Sequence, residues 1–421
     1  MGEINLDNTG SGSSVTLSSD GTSLLLDGTA IGGGGGADLY AANESSPTSQ
    51  PSATGTNAIA IGEASVSAGT RGIAINIGDT SYGALSGTTN PIAIGYQARV
   101  RANVQNSLAI GTSTDVNNAY STAVGYNAHA FGSNAQAFGS SAYAANDGAL
   151  ALGHNAQAGT RRAVSLGNSR ANGEDSFAAV ITNNTTTYGA TGASSVAIGY
   201  QAKATGAKSV AISSNTYSGS ATASGGGAVA IGDGPTASGI GSTSIGRGCT
   251  ASGTNAIAMG RSAQATAEAA VAIGYPAYSD VKGGIAFAGS GYFGSALGDA
   301  QGRMYILRVQ TTDATATELA ESSARIKVPT NGAVVFDGLI TGLESGVNSY
   351  AGWKIEGMIV NDAGTTTLVN SAITTIHNTP NWGLALTADN TNNRLAITVT
   401  GEASHNIRWV ANIRTVETIY A

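Results

Sequence analysis

From Ile59 to Ala288 the chain repeats one short pattern of apolar and small positions about sixteen times. Clear copies read Ala60-Ile61-Gly62, Ala93-Ile94-Gly95, Ala109-Ile110-Gly111, Ala197-Ile198-Gly199 and Ala272-Ile273-Gly274. Worn copies, among them Ala74-Ile75-Asn76, Ala179-Val180-Ile181 and Ala286-Phe287-Ala288, fill the gaps. With the motif glycine as position zero, −3 and −1 are mostly large and apolar, as in Val196 and Ile198, and −2 between them is almost always Ala. Positions +3 and +5 are small, as in Ala202 and Ala204, and +4 is polar or large, as in Lys203. This is strand alternation. Each unit is expected to hold two short strands, one lined by aliphatics and one by alanines, with −3 and −1 on the buried face. Glycines at zero and near +7, such as Gly206, are expected to supply turns with unusual backbone angles.

The step is 14 residues from Gly111 to Ile181 and again from Gly232 to Ala288. A fixed short period means a solenoid. Coils stacked about 4.8 Å apart give a rod roughly 75 Å long. The step is broken four times, and the inserted residues, Asp79 to Thr89, Asn183 to Tyr188 and Asn215 to Ser224 among them, are expected on flanking loops.

The period stops at Ala288, and a glycine-rich connector leads into a different pattern. Strand-like runs follow at Arg303–Val309, Ala324–Val328, Ala333–Ile340, Trp353–Val360, Ala372–Ile376, Trp382–Thr387, Arg394–Thr400 and Ile407–Thr418. Turn signals such as Asn331-Gly332 and Asp362-Ala363-Gly364 separate them, which predicts an all-β sandwich. Ahead of the repeats, Ser14-Val15-Thr16-Leu17 and Ser23-Leu24-Leu25-Leu26 flank Asp20-Gly21, a hairpin signal. The expected divisions are an N-terminal attachment segment at 1–31, a linker at 32–56, the shaft at 57–288, a connector at 289–301 and a tip domain at 302–421.

Composition changes the picture in three ways. Glycine makes up 60 of 421 residues and charged residues only 11%, which by itself would suggest disorder; the strict period argues against it. Net charge is −7, and the first 58 residues carry six acids and no Lys or Arg, so nucleic acid is not an expected partner. The opening Met1-Gly2-Glu3-Ile4-Asn5-Leu6-Asp7 has neither a basic region nor an apolar core, and no stretch reaches the length of a membrane helix, so no membrane insertion is expected. The single Cys249 falls on a +3 site, where a buried reduced thiol is expected.

Ser195-Val196-Ala197-Ile198-Gly199-Tyr200-Gln201-Ala202-Lys203-Ala204-Thr205-Gly206 resembles the head repeat of YadA-like trimeric autotransporter adhesins along its whole length. The resemblance implies a left-handed parallel β-roll and a homotrimer. A thin alanine-lined coil that buries little apolar surface alone is consistent with that. The segment Asp7-Asn8-Thr9-Gly10-Ser11-Gly12 through Asp27-Gly28-Thr29-Ala30 resembles the opening of structural proteins of tailed phages. Val309 to Leu319, Asn392 to Gly401 and Ile407 to Arg414 are similar to a C-terminal domain of phage fibre-like proteins.

Candidate chemistry is sparse. Of the four histidines, His129, His154, His377 and His405, the first two lie on coils and neither has metal-ligand spacing with another His or Cys, and the pentaglycine at 32–36 is not followed by the Lys-Ser/Thr of a phosphate loop. No cofactor or metal is expected. Asp147 and Asp175 share a coil corner about 10 Å apart in the stack, at the edge of the range for paired glycosidase carboxylates. Scattered acids give such a pair by chance, so the chain is expected not to be an enzyme. Trp382 and Trp409 fit an inward strand face, whereas Trp353 is expected to be exposed.

These readings point to a homotrimeric fibre exposed on a phage virion. Its N-terminal segment is expected to dock on other virion proteins and its tip to bind a host-surface glycan or protein. Expected contact residues are Tyr350, Trp353, Asn378 and Asn381, with the rod loops around Tyr82, Tyr188 and Tyr217 as the alternative. A capsid-mounted fibre or decoration protein, or a bacterial surface adhesin, are the other readings.

Overall fold

A computed structural model describes residues 50–75, 85–86, 89–101, 103–179, 187–214, 219–289, 297–320, 324–346 and 349–420, together with four strands nearer the N-terminus. Every regular element among them is a β-strand. The chain divides into two compact units, residues 1–138 and 139–421, each described by itself.

The first unit opens with an antiparallel meander of Ile4–Leu6, Val15–Ser19, Leu24–Leu26 and Thr29–Ile31. The hairpin expected around Asp20-Gly21 is present, with Leu17 opposite Leu26 and Ser19 opposite Leu24. Its coils follow. Ile59–Ile61, Ile73–Ile75, Ile92–Ile94, Leu108–Ile110, Thr122–Val124 and Gln136–Phe138 pair in parallel, so that Ile59, Ile73, Ile92, Leu108, Thr122 and Gln136 form one column. A second parallel ladder runs through the short strands, for example Arg99–Val100, Asp115–Val116 and His129–Ala130. Within that ladder Asp115 sits between two arginines, with Arg99 Nη2 at 2.7 Å and Arg101 Nη2 at 2.6 Å. Burial pushes its carboxyl up, but the hydrogen bonds from Arg101 and Arg99 outweigh burial and hold it below the usual range.

The second unit continues the same build. Leu150–Leu152, Val164–Leu166, Phe177–Ala179, Val196–Gly199, Val210–Ser213 and Val229–Asp233 stack in parallel, and so do the coils up to Ile285–Ala288. One expected copy is corrected. Val164 pairs with Phe177 and Leu166 with Ala179, a step of 13, so the worn copy at 179–181 is read one residue late. The missing residue is at the corner after Gly167, where Arg170 takes the place that Gln157 holds in the coil before. The inserted loops lie largely outside the described residues.

The expected facing of the aliphatic strand is inverted within the chain. Ala197 at −2, Ala202 at +3 and Ala204 at +5 are fully buried, as is Ser195 at −4, whereas Ile198 at −1 is 37% exposed. The two strands of a coil lie so close that the side chains between them are small, mostly Ala and Ser with Cys249 and an occasional Val such as Val100. The aliphatics therefore stand outside, where Leu152, Ile198, Ile257, Met259, Ile273 and Phe287 are all exposed. Cys249 is buried as expected and accepts a hydrogen bond from Ser244 Oγ at 3.1 Å.

The glycines divide by position. Gly139, at zero, has φ +128°, and a Cβ there would stand 2.6 Å from the Gly153 carbonyl oxygen of the next coil. Gly206, near +7, shows no such angle; what excludes a side chain there is the backbone of Gly225 in the next coil. Most of the remaining left-handed turns fall at +2 and −5, on residues such as Gln201 (φ 52°) and Lys208 (φ 58°).

Beyond the last coil the same unit folds as two antiparallel sheets. Its strands are β1 (Ala300–Thr311), β2 (Thr317–Glu318), β3 (Ile326–Lys327), β4 (Gly332–Glu344), β5 (Tyr350–Asp362), β6 (Thr365–Asn378), β7 (Gly383–Asp389), β8 (Arg394–Thr400) and β9 (Ile407–Ile419). The large sheet runs β1-β9-β4-β5-β6, and β1 also pairs with the last coil, Ile285 opposite Met304. In the small sheet β8 lies between β7 and the short β2 and β3. Leu395, Ile397 and Val399 of the small sheet share one core with Tyr305, Phe336, Ile355 and Ile413 of the large one. The sandwich is as expected, with most strands longer, although Ala324–Val328 narrows to Ile326–Lys327. The main difference is β6, expected at Ala372–Ile376 but spanning Thr365–Asn378; from Asn370 to His377 it is exposed on both faces, so it carries no buried alternation to read.

Candidate functional site

Strand directions decide which loops gather at the end away from the coils. β1 leaves the last coil at Gly302–Met304 and ends at Thr311. β9 runs back along it, with Thr311 opposite Ile407, and β4 again runs outward, with Glu344 opposite Ile407. The far end of the sandwich therefore collects the segments after β1, between β4 and β5, between β6 and β7, and between β8 and β9.

A cleft of about 380 Å³ opens there, lined by Gln310, Leu343, Glu344, Ser345, Asn406 and Arg408. A second, of about 670 Å³, adjoins it and shares Gln310 and Arg408, with Arg308 on its wall. Register explains the grouping: Gln310 is opposite Arg408, Arg408 is opposite Leu343, and Leu343 is opposite Tyr350. Residues directly opposite share a face, so these four make one row across β1, β9, β4 and β5. The row ends on an aromatic pair, Tyr350 stacked on His377 with centroids 4.9 Å apart and planes 20° from parallel.

The charges of the cleft are not equivalent. Glu344 accepts from His405 Nδ1 at 2.6 Å, and this hydrogen bond, with one from Ser349, holds its carboxyl below the usual range. Among the described residues Arg408 has no acidic partner, in contrast to Arg414, which pairs with Asp337 on the same face.

The expected contact residues fare differently. Tyr350 is 51% exposed and lies in the row. Asn381 is exposed at φ 60° in the β6–β7 turn, and Asn378 closes that turn by hydrogen bonding the Trp382 backbone in both directions, at 2.8 and 2.9 Å. Trp353 is corrected: it is 2% exposed and stacks on Trp409 at 5.9 Å. It alternates with Ile355, and the tip core takes that face of β5 from its start. Trp382 and Trp409 pack inward as expected, 5.3 Å apart. Of the alternative rod tyrosines, Tyr82 and Tyr217 lie outside the described residues, and Lys203 Nζ sits 5.1 Å over the Tyr188 ring. Sequence reasoning missed Gln310, Arg408, Asn406 and Glu344. The alternation of Ile407-Arg408-Trp409 puts Arg408 outward, but an outward arginine is ordinary; only the register shows its neighbours.

The corner of Asp147 and Asp175 does not form a carboxylate pair in isolation. Arg162 stands between them, its backbone N–H donating to the Asp147 carbonyl and its guanidinium to Asp175. That guanidinium holds the Asp175 carboxyl below its usual range, the opposite of what a general acid needs.

The class of molecule can now be stated: an all-β chain whose parallel coils carry YadA head repeats. The YadA head domain repeat matches at residues 53–75, 105–128, 144–169, 190–212 and 251–275, where the resemblance was expected. No curated protein matches the chain. Among solved structures it is similar to the tailspike protein gp49 from Acinetobacter baumannii bacteriophage Fri1, a capsular polysaccharide depolymerase. Identity is 12% and the TM-score 0.23, over 86% of this chain and 69% of that one. It is also similar to the tailspike protein of Acinetobacter phage vB_ApiP_P1, at 11% identity and a TM-score of 0.20, over 91% of this chain and 81% of that one. Likeness at this level carries no argument about what this chain acts on. The expectation that the chain is not an enzyme is withdrawn, since the first of these neighbours is described as a depolymerase; the likeness carries no activity over to this chain.

Proposed function

We propose that the chain is the subunit of a homotrimeric fibre on a tailed-phage virion. Its coils serve as a stiff shaft, its N-terminal segment docks on other virion proteins, and its tip meets a host-surface glycan or protein. The observation that carries this reading is the outward aliphatic column: coil after coil presents large apolar side chains that the chain does not cover, and monomers rarely expose contiguous patches of that kind. Neighbouring copies of the chain supply the cover. A surface that repeats from coil to coil suits a spacer, while selective contact suits the non-repeating loops at the far end of the sandwich. Three weakly binding tips on one shaft gain avidity through effective concentration. The resemblance of the opening and C-terminal segments to phage structural proteins favours a virion over a bacterial surface.

The test is adsorption. An excess of the purified full chain is expected to block attachment of its parent particle to the host cell. Undiminished attachment at a saturating concentration of chain would remove the adhesive role. Recovery of the chain from bacterial outer membranes, and not from purified virions, would favour the surface-adhesin reading.

A further inference from the structure

We infer that the far-end cleft around Arg408 binds an acidic saccharide, with its carboxylate on the Arg408 guanidinium. This rests on the adhesive reading above and names the ligand class of its tip. Three observations lead to it. First, Arg408 is exposed and has no acidic partner among the described residues, although the same sheet face pairs Arg414 with Asp337 and Lys354 with Glu356. A guanidinium is a rigid planar donor that matches a carboxylate in two parallel hydrogen bonds. Second, the acid nearest to it in the cleft, Glu344, is already taken up by His405, so it does not compete for Arg408. Third, the neighbouring groups are those a sugar ring uses. The Gln310 and Asn406 amides line the cleft and offer donors and acceptors to hydroxyls. Leu343 and the Tyr350–His377 stack give an apolar floor for the C–H face of a pyranose.

The dimensions agree with a short oligosaccharide. Arg408 and Tyr350 flank Leu343 on its two neighbouring strands, roughly 10 Å apart at two strand spacings. One acidic residue can therefore reach Arg408 while the next ring lies on Tyr350. A neutral glycan would satisfy the amides and the aromatic floor but would leave the guanidinium unmatched.

Calorimetric titration of the full chain with trigalacturonate, with its methyl ester and with oligosialic acid tests the inference. Binding of at least one acid is expected, weakened by added salt, with at least a tenfold loss for the methyl ester and for Arg408→Gln. Tyr350→Ala is expected to weaken the acid severalfold, and Arg414→Gln to leave it unchanged. Equal affinity for acid and ester, unchanged affinity in Arg408→Gln, or no binding of either acid overturns the assignment. A wild-type chain that binds neither acid but still blocks adsorption removes the acidic-sugar site alone. One that binds the acid through Arg408 but does not block adsorption keeps the site and removes the adhesive reading.

Discussion

At the scale of single residues, the coil stack depends on how little its interior holds. A buried alanine contributes about one methyl group, on the order of 0.8 kcal/mol, so the coil gains by repetition and by backbone pairing more than by any one side chain. It also has no slack. Ala197 is fully buried, and a leucine there has no space to occupy without parting the two strands. Ala197→Leu is expected to destabilise by about 1–3 kcal/mol, the usual cost of overpacking, while Lys203→Ala at +4 is expected to change stability by less than about 0.5 kcal/mol. Denaturant midpoints of the two variants provide the check; equal shifts would mean that −2 is not an interior position. The alternation itself was plain in Val196-Ala197-Ile198, but its sense was not. Apolar pattern says which residues share a face; the thickness of the coil decides whether that face can turn inward. A broad coil would take Ile198 inside, and this one has room only for Ala197.

At the scale of elements, the period, the strands and the sandwich were legible because each has a local signal. The far-end row was not, because Gln310, Leu343, Tyr350 and Arg408 lie on four strands whose register no local pattern fixes. The junction between the last coils and the tip was hidden for the same reason. There Arg303 Nη1 hydrogen bonds Asp280 at 2.8 Å, and its Nε lies 3.0 Å from Glu417, whose side chain is 1% exposed. Glu417 also accepts from Gln301 Nε2, Tyr305 Oη and Thr415 Oγ1. Arg303→Met leaves a buried carboxylate without its cation, which costs about 3–5 kcal/mol. Adding Glu417→Gln removes the stranded charge and is expected to restore part of that loss, a coupling that a double-mutant cycle measures. Additive effects would show that the two side chains are not coupled. pH adds a second readout. Burial pushes the Asp280 carboxyl up, but Arg303 and Lys327 hold it below its ordinary value. Its contribution is therefore present above the ordinary carboxylate pKa and lost as pH falls through the depressed one. In Arg303→Met that contribution is expected to be smaller and its acid-side loss to be complete at a higher pH.

At the scale of the molecule, a thin coil and an outward aliphatic column are two consequences of one fact. A chain that keeps mostly alanine and serine inside its coils must place its large apolar residues somewhere, and it places them on a face that repeats from Leu152 through Phe287. Water is a poor partner for such a face, and its regular column matches a second copy better than an irregular partner. Three copies closing around an axis would cover each face with two others and leave no open end for further addition. Light scattering of the full chain is expected to give three times its mass of 41.5 kDa at micromolar concentration. Ile198→Asp with Ile212→Asp puts charges on the column in two neighbouring coils, where each trimer would gather six carboxylates over two adjacent levels. These substitutions are expected to dissociate the trimer while the single-chain strand signature in circular dichroism survives, because both side chains point away from the interior of the coil. A monomeric wild type would leave the aliphatic column unexplained and remove the shaft from the proposal. A double variant that stays trimeric would place the contact on another face of the coil, and one that loses its strand signature would show that the column supports the single coil directly.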